Sequence, residues 1–139
     1  MQTRHIFFEA RTKELREYDI SVIQATALFV VETLGEKATI GEIARWLIRQ
    51  PNTVSEIIKR MEVKGLVIKF PDPERKRVMV ELTERGIEAC HQSKKRESVY
   101  KIMSCLSQEE RQQLKLTLTK LRDRARKEIV AESTPPFPK

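Results

Sequence analysis

The sequence predicts a mainly α-helical chain with one small two-stranded β-hairpin. Three observations lead there. Ser21, Thr39, Thr83 and Ser107 each stand just before a helix-periodic run, and three of them have Gln24, Glu42 or Glu110 three residues on, the reciprocal pair of a capping box. Apolar residues recur at spacings of three and four through most of the chain. Residues 77–82, Arg77-Val78-Met79-Val80-Glu81-Leu82, instead alternate with period two behind a turn containing Pro71 and Pro73.

In order, residues 3–17 read as a helix bearing Ile6, Phe7, Phe8, Ala10 and Leu15 among charges, too many apolar groups for a free surface helix. Tyr18-Asp19 breaks it. Ser21 opens a helix to Leu34 that is apolar almost all round, and such a helix is expected to be the buried central beam. Thr39 starts a short helix carrying Ile40, Ile43, Ala44 and Leu47. Pro51 sits where a second helix tolerates a missing N–H, and Gly65 ends that helix as a left-handed cap. Val67-Ile68-Lys69-Phe70 is the first strand and residues 77–82 the second. Thr83 is expected to cap one long helix from Glu84 to about Leu106. Ser107 opens a last helix with Leu114, Leu118, Leu121, Ala125 and Ile129 on one seam, which asks for a partner helix. The count is six helices, with the hairpin between the fourth and the fifth. The proline-rich end, residues 131–139, is expected to be loose.

The chain of 139 residues fits one subunit, 40% apolar and 34% charged, enough for a core with a charged surface. No apolar run approaches the ~20 residues that span a bilayer, and the N-terminus lacks a secretory apolar segment, so no membrane partner and a cytoplasmic location are expected. Residues 45–77 hold nine Lys/Arg against four Asp/Glu, whereas residues 1–44 hold five against seven. A basic excess there suits a polyanion. Residues 84–130 are equally basic, twelve against seven, so charge alone does not single out the segment.

Residues 39–66 carry the most information. Short helix, tight turn and a second helix with a polar outer face make a helix-turn-helix. On that face stand Asn52, Thr53, Ser55, Glu56 and Lys59, with Arg49 in the turn before it. These groups can hydrogen-bond base edges or phosphates. On an isolated helix they would be a solvated surface. Behind a turn and ahead of a charged hairpin they become candidates for DNA contact. The hairpin tip, residues 71–76, and Arg77 bring Arg75, Lys76 and Arg77 as further candidates, for phosphates or the minor groove.

The run Arg60-Met61-Glu62-Val63-Lys64-Gly65-Leu66-Val67 resembles the end of the recognition helix in winged helix-turn-helix regulators of the MarR type, the multiple-antibiotic-resistance regulators. Pro51-Asn52-Thr53-Val54-Ser55, Ile20-Ser21-Val22-Ile23-Gln24, Leu82-Thr83-Glu84-Arg85-Gly86 and Leu106-Ser107-Gln108-Glu109-Glu110 extend the likeness over roughly residues 18–125. The resemblance implies a winged helix-turn-helix with N- and C-terminal dimerisation helices. Residues 20–83 would be the DNA-binding region and residues 1–17 and 84–130 the dimer helices. It implies a homodimeric regulator of double-stranded DNA, a repressor on a palindromic operator, released by a small aromatic effector. Tyr18, Phe8, Phe29 and His5 are the candidates for lining an effector pocket. The hairpin departs from the family pattern: Pro71 stands where the first acid is expected and Asp72 follows it, leaving both Arg75 and Arg77 as candidates for the groove.

Other chemistries find little support. There is no Gly-rich phosphate loop, no nucleophile elbow and no zinc-protease motif, so no enzyme is expected. His5 and His91 have no ligand-spaced Cys or carboxylate, so neither metal nor cofactor is expected. Cys90 and Cys105, read on one continuous helix, would lie roughly 22 Å apart, too far for a disulfide. Either could make the chain a thiol-based redox sensor. The peroxide-sensing branch of the family carries its cysteine near the N-terminus, where this chain has none. A winged helix used for protein interaction is the remaining alternative, disfavoured by the polar, basic face of residues 52–59.

Overall fold

The structure, a computed structural model, describes residues 1–129. Helix α1 (Gln2–Arg16) precedes α2 (Val22–Leu34), which opens on the full capping box. The Gln24 N–H donates to Ser21 Oγ at 3.2 Å and the Ser21 N–H to Gln24 Oε1 at 3.1 Å. A 3-10 turn, Gly35–Lys37, leads to α3 (Ile40–Leu47). Thr39 caps α3 by accepting the Glu42 N–H at 3.1 Å, but Glu42 gives its carboxylate to Arg45 at 2.6 Å while the Thr39 N–H donates to Lys37 O. The expected reciprocal box is therefore only half made.

Helix α4 (Pro51–Val63) begins with Pro51 in its first turn and passes through Lys64 into left-handed Gly65 at φ 72°. Strands β1 (Val67–Pro71) and β2 (Val78–Leu82) pair antiparallel, Val67 with Leu82 and Pro71 with Val78. The segment before α3 adds a bridge between Thr39 and Met79, and the Val80 N–H donates to Ala38 O at 2.8 Å. The hairpin is thereby stitched to the body along the outer half of β2. Periodicity gave no sign of this bridge, because two residues are too few to show a pattern.

Helix α2 is the central beam expected. Ala25, Ala27, Leu28, Val30 and Val31 are buried, and Ile43, Ala44, Val54, Ile58, Met61, Val80, Ala89 and Cys90 complete the core around it. Each large side chain buried there contributes about 1.5–3 kcal/mol.

The long helix expected over residues 84–106 is divided into α5 (Glu84–Ser93) and α6 (Glu97–Met103), so the six-helix plan holds with its fifth helix broken. The break is made by α1. Arg11 donates to the Ser93 carbonyl at the end of α5. Glu14 accepts the Glu97 N–H at 2.8 Å and the Ser98 hydroxyl at the start of α6. Helix ends leave backbone groups unsatisfied, and here a neighbouring helix supplies the partners. Arg96 takes the left-handed corner between them at φ 49°. Burial pushes the Glu14 carboxyl up, but the bonds from Ser98, Arg11 and the Glu97 amide outweigh it and hold the pKa below the ordinary glutamate range.

Helix α7 (Gln108–Ile129) opens on a full box, Ser107 with Glu110. No described residue of α6 or α7 joins the buried core. Leu116, Leu118 and Leu121 are 66%, 54% and 61% exposed, and Leu114 is half-buried. The seam predicted on α7 is therefore uncovered within one chain. The side chain of Ile129 and the tail expected to be loose lie outside the described residues.

Candidate nucleic-acid interface

Helix α4 has two faces. Val54, Ile58 and Met61 point into the core and are fully buried. Asn52, Thr53, Ser55, Glu56 and Lys59 are exposed on the other side, as is Arg49 in the turn. Their side chains make no hydrogen bond or ion pair within the described residues. Arg49 and Thr53 share a shallow groove of about 500 Å³ with Arg45 and Gly41 of α3. Arg45 was not among the expected contacts.

The turn that aims α4 has Ile48 in left-handed backbone, φ 53°. That conformation costs a non-glycine residue roughly 1–2 kcal/mol. The Ile48 and Arg49 N–H groups close the end of α3 on Arg45 O at 3.3 Å and Ala44 O at 3.0 Å, and Pro51 follows at once. The strain lies at the joint that sets the angle between α3 and α4.

The hairpin tip is organised by Asp72. Its carboxylate accepts the Glu74 N–H at 2.9 Å and pairs with Arg77 Nε, and the Asp72 N–H donates to Arg77 O at 3.0 Å. The Glu74 amide first, then Arg77, hold its pKa below the ordinary aspartate range. Arg75 and Lys76 stand exposed at the tip with no side-chain partner among the described residues. The two candidate arginines thus differ: Arg77 is engaged in shaping the turn, and Arg75 is available.

Of the four candidate pocket residues, two come together. Phe8 and Phe29 line a cleft of about 410 Å³ with Phe7, Arg11, Lys94 and Arg96. His5 is exposed on α1, and Tyr18 packs against the core at the α1–α2 corner. Neither lines the cleft. Lys94 pairs with Glu32, and its ammonium lies 5.9 Å from the Phe29 ring centroid. Arg11, Lys94 and Arg96 escaped sequence reading because two of them sit at the unforeseen α5–α6 break.

The two cysteines are free, Cys90 buried and Cys105 exposed. Burial, and then the nearby Glu32 charge, push the Cys90 thiol up to about 11, away from the thiolate that redox chemistry needs. The one-helix spacing argument no longer applies to them, since α5 ends at Ser93. No helix among the described residues is long and apolar enough to cross a membrane, and they contain no group of three or more His, Cys, Asp or Glu placed to hold a metal.

A buried helical core that presents one polar-faced helix beside a basic hairpin is the architecture of a winged helix-turn-helix. A family profile described as a winged helix DNA-binding domain matches residues 20–86. The organohalide-sensing RdhR-CbdbA1625 transcriptional regulator, solved ligand-free and with 2,4-dichlorophenol, is 30% identical. Its ligand-free form has a TM-score of 0.86, with 99% of this chain and 84% of that one covered. MepR of Staphylococcus aureus, solved in complex with DNA, is 28% identical over 89% of this chain and 91% of its own, with a TM-score of 0.74. A mutant MarR of E. coli on operator DNA shares the fold at 22% identity and a TM-score of 0.78, over 86% of this chain and 88% of its own. No curated protein sequence matches significantly. The chain belongs to the MarR-type winged helix-turn-helix regulators.

Proposed function

We propose that the chain is a homodimeric repressor that occupies a palindromic duplex site and is released by a small aromatic anion. What carries this reading is the row of polar side chains without partners on α4 and its entry turn, flanked by Arg75 and Lys76 at the hairpin tip. Residues 20–83 would form the reading head, and residues 1–17 and 84–130 the dimer helices. Chromosomal DNA as partner would set its place of work in the cytoplasm.

The roles divide by chemistry. Asn52, Thr53, Ser55 and Glu56 are uncharged or acidic, release no counterion at a phosphate, and act mainly through base edges. Arg49, Lys59, Arg75 and Lys76 can neutralise phosphates. Arg77 acts through Asp72, keeping the tip in shape. The uncovered leucines of α7 and the exposed Ile6 and Phe8 of α1 supply apolar surface for a second copy. The cleft combines the aromatic walls of Phe8 and Phe29 with Arg96, whose side chain has no partner among the described residues, which suits a phenolate or an aromatic carboxylate; Arg11 and Lys94 also line it but are paired with Glu14 and Glu32. The relative solved with 2,4-dichlorophenol supports that ligand class.

Salt dependence tests the division. Binding to a selected duplex and to a scrambled one, at three salt concentrations, should separate two behaviours. Thr53→Ala or Ser55→Ala should lower the ratio of specific to scrambled binding by about 0.5–1.5 kcal/mol, the net weight of one hydroxyl hydrogen bond, with the salt slope kept. Arg75→Ala should weaken both duplexes and flatten the slope by about one unit. The reverse pattern would overturn the assignment of reading helix and hairpin. Adding 2,4-dichlorophenol to the wild type should lower operator affinity, and an unchanged affinity would count against the aromatic effector.

A further inference from the structure

The C-terminal end of α4 is gripped from outside the helix-turn-helix. Lys64, the residue that closes α4, reaches the corner between α1 and α2. Its ammonium donates to the Asp19 carbonyl at 2.6 Å, approaches Gln24 Oε1 at 3.4 Å and lies 3.5 Å from the Asp19 carboxylate. The carbonyl and the amide oxygen are themselves fixed. Asp19 is locked in left-handed backbone at φ 53°, and Gln24 Oε1 also closes the cap of α2. The next residue, Gly65, presents its carbonyl to the Thr83 hydroxyl at the start of α5. Two successive residues thus tie the end of α4 to two different helices.

A partly exposed ion pair adds little stability. Three converging acceptors do something else: they fix direction. Thirteen residues at a rise of ~1.5 Å make α4 about 19 Å long. Val54, Ile58 and Met61 bury its middle, and a tilt of roughly 15° about Ile58 would carry Lys64 off its acceptors and move Asn52 by about 2 Å the other way, further than a hydrogen bond tolerates.

We infer that Lys64 is a positioning residue for DNA reading, setting the tilt of α4 against the α1–α2 corner. The inference rests on α4 being the reading helix. Because α1 also carries Phe8 and Arg11 of the cleft, Lys64 is a point at which a movement of α1 reaches that helix.

The test compares wild type, Lys64→Met, Lys64→Arg and Asp19→Asn on a duplex recovered by the wild type from a random pool and on a scrambled duplex, at three salt concentrations. Lys64→Met should lower the specific-to-scrambled ratio about tenfold, the equilibrium weight of one charge-assisted hydrogen bond, with an unchanged salt slope. Lys64→Arg should restore most of the ratio. Asp19→Asn keeps a residue that tolerates left-handed backbone. It should lower the ratio by a smaller factor, although removing an anion would by charge alone favour both duplexes. Equal loss on both duplexes with a flatter slope would make Lys64 a phosphate contact and overturn the inference, as would an unchanged ratio. Should Lys64→Met fail to fold, Asp19→Asn decides alone: a lowered ratio supports the inference and an unchanged ratio overturns it. A wild type that does not distinguish the duplexes would instead overturn the reading of α4 itself.

Discussion

Replacing Gly86 by Ala should destabilise the chain by about 3 kcal/mol, lowering its melting temperature by roughly 6–12 °C. A Cβ at Gly86 would stand 1.9 Å from the carbonyl oxygen of Leu66 and 3.0 Å from its carbonyl carbon. These are backbone atoms, so no rotamer change relieves the contact. Helix α5 must therefore draw back from the start of β1. That would strain the bond from the Thr83 N–H to Leu66 O at 3.1 Å and the Thr83 cap on the Gly86 N–H at 3.0 Å. Gly41 provides the contrast. It lies in α3 with only Thr39 Oγ1 at 3.9 Å from its would-be Cβ. Gly41→Ala should stabilise by about 0.5–1 kcal/mol, the ordinary gain of alanine over glycine inside a helix. Urea unfolding of both variants checks the pair, and equal midpoints would contradict the close approach of α5 to β1.

The double substitution Leu118→Asp with Leu121→Asp should leave a folded monomer that has lost two to four orders of magnitude in operator affinity. Both leucines are more than half exposed in the single chain, and no described residue of α7 joins the buried core. The fold of the reading head therefore does not need them. In a dimer they would be buried, each contributing about 1.5–3 kcal/mol, and a carboxylate in that seam would cost more than the leucine contributed. Once the two heads are separated, the second no longer binds at the high effective concentration that linkage supplies, which is where the 10²–10⁴ loss arises. Light scattering gives the mass, circular dichroism the helix content and gel shift the affinity. A variant that stays dimeric would place the interface elsewhere.

Much of this architecture is legible in the residues because its signals are local. The Ser21–Gln24 and Ser107–Glu110 boxes both form, and Pro51 and Gly65 bracket α4 as their backbone limits require. Alternation along β2 and the proline turn mark the hairpin. What stayed hidden depends on partners distant in sequence. Nothing near residue 94 ends a helix. The groups that do so, Arg11 and Glu14, lie more than eighty residues away. The cationic side of the cleft depends on that break, so Lys94 and Arg96 could not be joined to Phe8 and Phe29 beforehand. Likewise, the spacing of the wing charges offers both Arg75 and Arg77, and only the geometry of Asp72 separates them. Lys64 reads as the last polar residue of a helix until its three acceptors are seen.

The central claim, that two copies of the α4 face read one duplex together, is tested most directly by selecting bound sequences from a random duplex pool with the full chain. Two reading helices related by a twofold axis should enrich a palindrome whose half-sites lie about one duplex turn apart, roughly 34–36 Å or 10–10.5 base pairs. Enrichment of a single asymmetric site, or of no sequence at all, would contradict it.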